Sequence, residues 1–449
     1  MLLIKIILGL FGLGIVVFIH ELGHFLFARL AKIDVEAFSI GWGKPILKKK
    51  IGKVEYRLGM FPVGGYCKMK GDTDYEKAWE NMNNGVKSEE GSYLAASPFG
   101  RILACFGGPF FNLVFAAVLL SFLWGIGFEV NTLGNRIILA SEINLGETYP
   151  ADTAGLKTGD RIIEIAGKEI SYYHEVQENI ALNPEKKLPL TVERNGDIIN
   201  LDVTPSLDKS SGAGKIGVYF WTDPLIENIR ENSPAQRAGL LPKDIITSAN
   251  GEAVNNTMDI EKALENAPDL LVMEYSRNGI QGQAQFTKDE YASGLGITWA
   301  SVNYRTPNLS LHSAVAKGIK ESWKTLVVYI KSLKLLFMGI DLTQAVSGPV
   351  RITYMIGEMA TRGFGQGIGI GLRSIAEFLV IISIALCIMN LLPLPILDGG
   401  MIVLFLVEAI RRKPAHPKII SAFNACGMVI IFSLMVFALF GDIMFFVKN

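Results

Sequence analysis

Residues Phe18–Phe27 read FIHELGHFLF and place two histidines and a glutamate inside a segment that is otherwise apolar enough for lipid. Ionisable groups are costly in the hydrocarbon region, so they indicate a functional site. In a helix, His20 and His24 project from one face, one turn apart, with Glu21 beside them. This HExxH spacing is typical of a site where two imidazoles bind Zn²⁺ and the glutamate is the general base.

Composition agrees with a membrane location. Half of the 449 residues are hydrophobic, only 19% are charged, and the formal net charge is zero. These values are typical of a membrane protein that carries a sizeable soluble portion. The four cysteines form no CxxC pair, so disulfide-built modules and cysteine-based zinc fingers are not expected.

Four apolar segments are long enough to span a bilayer, which takes about 20 helical residues. We predict spanning helices at residues 1–30, 98–128 and 372–410, and a fourth after a basic loop within 411–449. The first segment has the lysine and apolar core of a signal peptide. No small-residue cleavage site follows that core, however, so we interpret the segment as a retained span.

The short loops predict the orientation of the chain. Residues 27–97 hold 12 basic and 9 acidic residues, and the last loop contains Arg411, Arg412, Lys413 and Lys418. The region 128–310 instead holds 26 acidic and 16 basic residues. By the positive-inside rule, the two basic loops are cytoplasmic, and the central region and both termini lie outside.

An internal repeat lies in the outside region. Residues 149–170 align with 233–254 at a constant offset of 84, and Asp160 and Asp244 are among the matched residues. Each copy predicts a short helix ended by glycine, a strand (Arg161–Ile165 or Ile245–Ser248) and a hairpin turn. We therefore predict two tandem α/β modules, residues 129–222 and 223–308.

The repeat resembles the PDZ domains of bacterial proteases. The resemblance implies a groove in each module that takes an extended peptide by strand addition. The usual carboxylate-binding loop is not evident, and a duplicated domain that only fills space is the alternative. Between this region and the third span, residues 309–371 contain a basic amphipathic stretch, 313–338, predicted to be a helix on the membrane surface. The glycine-rich Gly363–Gly371 that follows is interpreted as a flexible or membrane-dipping connection.

A second polar motif, NLLPLPILDGG, occupies residues 390–400 in the third apolar segment. Pro393 and Pro395 are expected to break the helix. A carboxylate at Asp398 would be stranded in lipid unless it met a cation, which zinc bound to His20 and His24 would supply. The remaining histidines lie in predicted loops and outside regions, where they are poor candidates for a third ligand.

HExxH in a first span, with N-x-x-P-x-P-x-L-D-G in a later one, resembles the site-2 protease family of intramembrane zinc metalloproteases. The resemblance covers essentially the whole chain. It implies a polytopic α-helical membrane protein of four spans, with two tandem PDZ-like domains between the second and third. It further implies Zn²⁺ as cofactor, His20, His24 and Asp398 as its ligands, and Glu21 as the catalytic base.

Candidate substrate-binding residues come from three places. Asn390 matches the motif asparagine and could hold a substrate strand or the developing oxyanion, or serve only to cap the helix. Gly64, Gly65 and Tyr66 lie in FPVGGYCKMK (61–70), which in the family resembles a membrane-dipping β-hairpin that pairs with substrate. Asn112 follows two glycines in the second span, where it could contact the zinc region or substrate, or make a plain interhelical hydrogen bond.

The sequence thus predicts a zinc endopeptidase of the bacterial inner membrane, with its PDZ-like domains in the periplasm. Expected partners are the lipid bilayer and single-pass membrane substrates, namely an anti-sigma factor trimmed on the outside and leftover signal peptides. The PDZ-like pair would exclude untrimmed substrates by size, and no nucleic acid partner is expected. Two alternatives are a metal transporter, which gives no reason for Glu21, and an inactive scaffold, which would be expected to have lost a ligand or the base.

Overall fold

The computed structural model describes residues 2–71, 89–144, 146–208, 212–265, 269–292, 294–335, 348–413 and 415–448. The helices are α1 (Leu2–Leu30), α2 (Pro98–Ile126), α3 (Pro150–Thr153), α4 (Tyr173–Ala181), α5 (Pro234–Arg237), α6 (Thr257–Glu265), α7 (Lys288–Ala292), α8 (Leu311–Leu335), α9 (Pro349–Gln366), α10 (Ile368–Leu391), α11 (Asp398–Arg411) and α12 (Pro417–Lys448). The chain forms a helical unit, before Phe128 and after Thr306, and a β-rich unit between them.

The strands of these described ranges are β1 (Val35–Ile51), β2 (Val54–Met69), β3 (Glu129–Thr132), β4 (Ile137–Leu139), β5 (Arg161–Ile165), β6 (Lys168–Glu169), β7 (Leu188–Arg194), β8 (Asp197–Val203), β9 (Ser206–Leu207), β10 (Gly214–Lys215), β11 (Val218–Phe220), β12 (Ile226–Ile229), β13 (Ile245–Ala249), β14 (Glu252–Ala253), β15 (Leu270–Arg277), β16 (Ile280–Thr287), β17 (Ile297–Trp299) and β18 (Val302–Arg305). Of the strands named above, only β1 and β2 belong to the helical unit.

Four helices in the described part of the chain are long and apolar enough to cross a membrane. They comprise Lys5–Leu30 in α1, Pro98–Ile126 in α2, Ile368–Leu391 in α10 and Pro417–Met444 in α12. Helix α2 begins at Pro98 because Ser97 caps it, accepting a hydrogen bond from the Gly100 N–H at 3.1 Å. The described residues thus contain four helices able to span a membrane, the number predicted from the sequence.

The third predicted span is too long. Helix α10 ends at Leu391, and α11 begins at Asp398, so residues 372–410 do not form one helix. Pro393 and Pro395 cannot donate backbone hydrogen bonds, and Ile396 between the helices has a positive φ of 73°. The break therefore places Asp398 in the first turn of a separate 14-residue helix.

Helix α1 packs closely on α2 through two glycines. A Cβ atom added at Gly23 would lie 2.6 Å from the Gly107 carbonyl carbon, and one added at Gly107 would lie 2.9 Å from the Gly23 carbonyl carbon. Neither position has room for a side chain, and small residues of this kind let membrane helices approach closely. The contact sets the crossing point of the two helices next to His20 and His24.

The segment after α1 forms a small antiparallel sheet in which β1 and β2 bend and pair with each other more than once. Residues Ala37–Ile40 of β1 pair on one side with 55–58 and on the other with 65–68, both within β2. Residues 47–51 pair with 54–58 beyond them. Gly65–Met69 is consequently an edge strand of this sheet. Phe38 and Tyr56 pack with Phe25 of α1, so the sheet is fixed to the helix that carries HExxH.

One expectation for residues 309–371 differs from the structure, which describes the amphipathic stretch as far as Leu335. The amphipathic stretch is helical, as α8, but a Cβ atom at Gly318 would lie 2.6 Å from Ser121 N, so α8 packs along α2 instead of facing only a membrane surface. Its small residues Ala314, Gly318 and Ser322 repeat every fourth position and allow this approach. Gly363–Gly371 covers the end of α9 and the start of α10, which meet at Gly367, and its membrane-dipping character stays a prediction.

Helix α12 is fastened to α9 by one acidic side chain. The buried Asp442 carboxylate accepts backbone hydrogen bonds from Gly348, Val350 and Arg351 at 2.8–3.1 Å. These are N–H groups at the start of α9, where a carboxylate satisfies orphan donors and complements the helix dipole. Asp442 therefore has a structural role in this part of the chain.

The β-rich unit contains two modules of the same build. The first module, β4 to β11, has a sheet ordered β6-β5-β7-β8, and the second, β12 to β17, has one ordered β14-β13-β15-β16. Ala166 and Asn250 have φ of 50° and 51° ahead of Gly167 and Gly251, so both predicted hairpin turns form. Strands β3 and β18 pair with each other and belong to neither sheet, although the predicted module boundaries included them.

One ion pair recurs in both modules. Arg194 at the end of β7 donates two hydrogen bonds, at 2.7 and 2.8 Å, to the buried Asp160 carboxylate. Arg277 at the end of β15 does the same for Asp244, at 2.7 Å each. Burial acts to raise the pKa of Asp244, but the hydrogen bonds from Arg277 and from the Leu241 N–H hold that pKa below its ordinary value.

Candidate metal centre

His20 and His24 face the same side of α1. Their Nε2 atoms lie 3.1 Å apart, and their rings meet edge to face with centroids 4.7 Å apart. The side chains are 12% and 11% exposed, so most of each imidazole is shielded from solvent. The four-residue spacing brings two metal-binding nitrogens together, as the sequence predicts.

Asp398 completes a group of three donors. Its Oδ2 lies 3.4 Å from His20 Nε2 and its Oδ1 lies 3.5 Å from His24 Nε2. The break at the two prolines makes this possible, because α11 starts at Asp398 and directs its first turn toward α1. In the described residues this is the one group of three or more His, Cys, Asp or Glu side chains close enough to hold a metal ion.

The distances fit a zinc ion. Protein nitrogen and oxygen ligands lie about 2.0–2.1 Å from zinc, so the edges of a tetrahedral site are about 3.3 Å long. The two Nε2 atoms lie 3.1 Å apart, and each lies 3.4–3.5 Å from one of the two oxygens of the Asp398 carboxylate. Two imidazoles and one carboxylate also form the donor set of many catalytic zinc sites, which keep a fourth position open.

Helix α2 packs against both imidazole rings and donates or accepts hydrogen bonds at their Nδ1 atoms. His24 Nδ1 donates to the Ala104 carbonyl oxygen at 2.9 Å, which leaves Nε2 free to bind a metal. Gly108, one turn further, faces the rings, and a Cβ atom there would lie 2.6 Å from His20 Cε1. Asn112, after another turn, has its Nδ2 3.3 Å from His20 Nδ1. One stripe of α2 thus forms the floor of the site.

Glu21 is held by the edge strand. The Cys67 backbone N–H donates a hydrogen bond to its carboxylate. A Cβ atom at Gly65 would lie 3.1 Å from Glu21 Cγ, so the backbone of β2 runs directly past the glutamate. This places an edge strand, with hydrogen-bonding groups able to pair an extended chain, beside the candidate base.

The predicted substrate-binding residues are only partly brought together. Asn390, near the end of α10, has its Nδ2 3.3 Å from His20 Nε2 and is therefore at the metal centre. Gly65 lies at Glu21, as described above. Tyr66 points elsewhere: its hydroxyl accepts from Arg57 Nη1 at 2.9 Å and its ring packs near Trp42, as does Gly64. Asn112 is fully buried beside the His20 ring, so of its predicted alternatives the structure brings about contact with the metal region.

Three supporting groups were not identified from the sequence. They are the Ala104 carbonyl, the Cys67 N–H and the bare face of Gly108. Two of them are backbone groups, which no residue identity reveals. The two glycines that precede Asn112 in the sequence are Gly107 and Gly108, and the position of Gly108 one turn before Asn112 was the available signal for a glycine facing the rings.

Comparison with known proteins gives a consistent result. The family described as "Peptidase family M50" matches residues 8–434. A Treponema pallidum protein named "Putative zinc metalloprotease" is 34% identical over 447 residues, covering 99% of each chain. Proteins of the same printed name are 31% identical in Borreliella burgdorferi, over 97% of this chain and 96% of the relative, and 30% identical in Vibrio cholerae, over 96% of both.

Proposed function

Since this chain belongs to peptidase family M50, the site-2 proteases, and is a zinc metalloprotease of that type, we propose that it cuts single-pass membrane proteins within or near their spans. One observation carries the assignment of the site. His20, His24 and Asp398 converge at 3.1–3.5 Å with Glu21 beside them, and α1, which carries the two histidines and Glu21, is long and apolar enough to cross a membrane. A metal transporter would have no need of Glu21 held by a strand edge.

In this proposal His20 and His24, through Nε2, and Asp398, through its carboxylate, hold the zinc. When bound, zinc supplies a Lewis acid that polarises the scissile carbonyl and lowers the pKa of water. Glu21 takes a proton from the attacking water and passes it to the leaving amine nitrogen. The hydrogen bond from Cys67 N–H keeps the Glu21 carboxylate oriented for both transfers.

Substrate must be unwound before it is cut, because the carbonyls of an intact helix are internally bonded. We assign this task to Gly65–Met69, the edge strand that passes Glu21. An extended substrate segment pairing with it would lie across the metal centre by strand addition. In this proposal Asn390, whose Nδ2 lies 3.3 Å from His20 Nε2, donates a hydrogen bond to the substrate carbonyl or the oxyanion that develops from it.

The proposed substrate class rests on the orientation predicted for the chain. The basic loops favour a bacterial inner membrane with the β-rich unit on the periplasmic side. The internal repeat of the two modules resembles that of PDZ domains, and we propose that the modules exclude substrates whose outside domain is intact. An anti-sigma factor already trimmed outside, or a leftover signal peptide, is a single-pass chain of the required kind.

Cleavage by the purified protein tests the proposed function. A tagged single-pass substrate in detergent should be cut by the wild type, and Glu21→Gln should lower the rate by at least 10²-fold. A zinc chelator should abolish cleavage, whereas zinc should remain bound to the Glu21→Gln protein. Product that persists undiminished in the Glu21→Gln protein would refute the role given to Glu21.

A further inference from the structure

Asn112 is a buried polar residue that the reaction itself does not use. It is 0% exposed, and its Nδ2 lies 3.3 Å from Nδ1 of His20, on the opposite side of the ring from the metal-binding Nε2. Its Oδ1 is buried and has no hydrogen-bond partner among the described residues. Its backbone carbonyl accepts from Ser383 Oγ at 2.9 Å, which braces this part of α2 against α10.

The tautomer of His20 depends on what faces Nδ1. To bind a metal through Nε2, the neutral imidazole must carry its proton on Nδ1, and that N–H needs an acceptor. His24 already has one in the Ala104 carbonyl. At His20 the facing group is the Asn112 amide, whose oxygen and nitrogen exchange places by a half-turn about the Cβ–Cγ bond.

We propose that Asn112 is a positioning residue that holds His20 in the Nδ1–H tautomer when zinc is bound. With Oδ1 turned toward the ring, the amide accepts the proton of Nδ1 and satisfies its own unpaired oxygen. With Nδ2 toward the ring, Nδ1 accepts instead, and the Nε2 proton faces Asp398 Oδ2, 3.4 Å away. The half-turn of the amide therefore accompanies metal loading. This inference rests on the proposed function and concerns only how the first ligand is prepared.

A purely structural role makes a different prediction. Hydrogen bonds between membrane helices contribute on average only about 0.6 kcal/mol. If Asn112 merely joined helices, its replacement would change the stability of the metal-free protein and leave zinc affinity alone. A residue that orients a metal ligand instead changes metal affinity, typically by about 10–100-fold.

The test compares three variants of the full chain in detergent. Asn112→Leu has a similar size and no acceptor, while Asn112→Asp accepts from Nδ1–H in either orientation. Ser383→Ala is the matched control, because it removes a buried hydrogen bond to the Asn112 carbonyl without touching the imidazole. The readouts are the zinc dissociation constant, by competition with a chromophoric chelator, and the visible spectrum of the cobalt-substituted protein.

We expect Asn112→Leu to weaken zinc binding by about 10–100-fold and to alter the cobalt spectrum. Asn112→Asp should bind zinc more tightly than the wild type, because a carboxylate partner raises imidazole basicity. Ser383→Ala should match the wild type. Unchanged zinc affinity in Asn112→Leu, or weakened zinc affinity in Asn112→Asp, overturns the inference. The Asn112→Asp measurement still tests it if the leucine variant does not fold. Failure of this inference leaves the proposed function intact as long as the wild-type protein binds zinc and cleaves substrate.

Discussion

At the scale of residues, the site depends as much on an absent side chain as on its ligands. Gly108 faces both imidazoles at a distance that leaves no room for a methyl group. His20, Glu21, His24 and Asp398 were all predicted from the sequence, because ionisable groups in an apolar segment need a partner. Their supports are backbone groups and a glycine, which carry no such signal.

Gly108→Ala should therefore destroy the metal centre while leaving the helices in place. The added methyl group must displace His20 or His24, and a ligand shifted by about an ångström no longer fits a tetrahedral site. We expect zinc affinity to fall at least 10-fold and cleavage to fall with it. Gly125→Ala on the same helix is the control, since its Cβ would make an ordinary contact of 3.7 Å with Ala314. Equal zinc binding in the two variants would contradict this reading of Gly108.

At the scale of elements, the helices that form the site contact each other at small residues and through a buried ion pair. Arg101 Nη1 of α2 lies 2.8 Å from Glu408 Oε2 of α11, with side chains only 4% and 2% exposed. Glu408 also accepts from the Ala415 N–H, at 2.6 Å. The pair thus ties the helix behind the histidines to the helix that begins at Asp398.

Glu408→Gln should leave the Arg101 charge buried without its counter-ion. Breaking a buried pair in this way typically costs about 3–5 kcal/mol. We expect a lower unfolding temperature and weaker zinc binding, because α11 carries Asp398. The half-exposed pair Lys317–Glu321 provides the control, and Glu321→Gln should cost less than about 1 kcal/mol. A Glu408→Gln protein that melts and binds zinc like the wild type would show that this pair does not support the site.

The Asp244–Arg277 pair predicts an acid-sensitive second module. The pKa of Asp244 is lower in the folded chain than in the unfolded chain, so its contribution is fully present above its unfolded value near 4. That contribution is lost as the pH falls through the lower folded pKa. At neutral pH, Asp244→Asn should lower the local free energy of opening by about 2 kcal/mol.

Hydrogen–deuterium exchange over residues 239–249 measures this loss in the full chain. Peptides around Asp160 in the first module are the internal control, because the Asp160–Arg194 pair is intact there. The difference between wild type and Asp244→Asn should shrink on acidification toward pH 3. A difference that stays constant with pH would show that the carboxylate charge is not its source.

At the scale of the whole molecule, the β-rich unit is inserted through adjacent strands. β3 pairs with β18, Thr132 lies opposite Val302, and Phe128 and Thr306 exchange hydrogen bonds at 2.8–3.1 Å. The chain therefore enters and leaves the unit side by side. Both modules could be removed without pulling the ends of α2 and α8 apart.

This geometry allows a clean test of the size filter. Replacing residues 133–301 by Asn-Gly would close β3 and β18 as a two-residue hairpin. We expect the shortened protein to cut a single-pass substrate whose outside domain is intact at a rate close to that for trimmed substrate. If the shortened protein still cuts only trimmed substrate, the modules do not act as the filter. Its cleavage of trimmed substrate also serves as the control that it has folded.

The sequence predicted local features better than long-range packing. The four spans, the duplicated strand and turn pattern and the HExxH–Asp398 constellation follow from periodicity, glycine placement and polar residues in apolar segments. The burial of Ala314, Gly318 and Ser322 against α2 could not be predicted, since a stripe of small residues does not specify its partner. Which of its predicted alternatives Asn112 adopts depends in the same way on His20, a residue 92 positions away in the sequence.

The most direct test of the account is the zinc content of the purified full chain and of Asp398→Ala, measured after dialysis against a weak chelator. His312→Ala is the control, because His312 is an exposed histidine at the start of α8. We predict about one zinc per chain in the wild type and in His312→Ala, and little or none in Asp398→Ala. Zinc retained by Asp398→Ala with wild-type affinity would contradict the proposal that His20, His24 and Asp398 form the metal site.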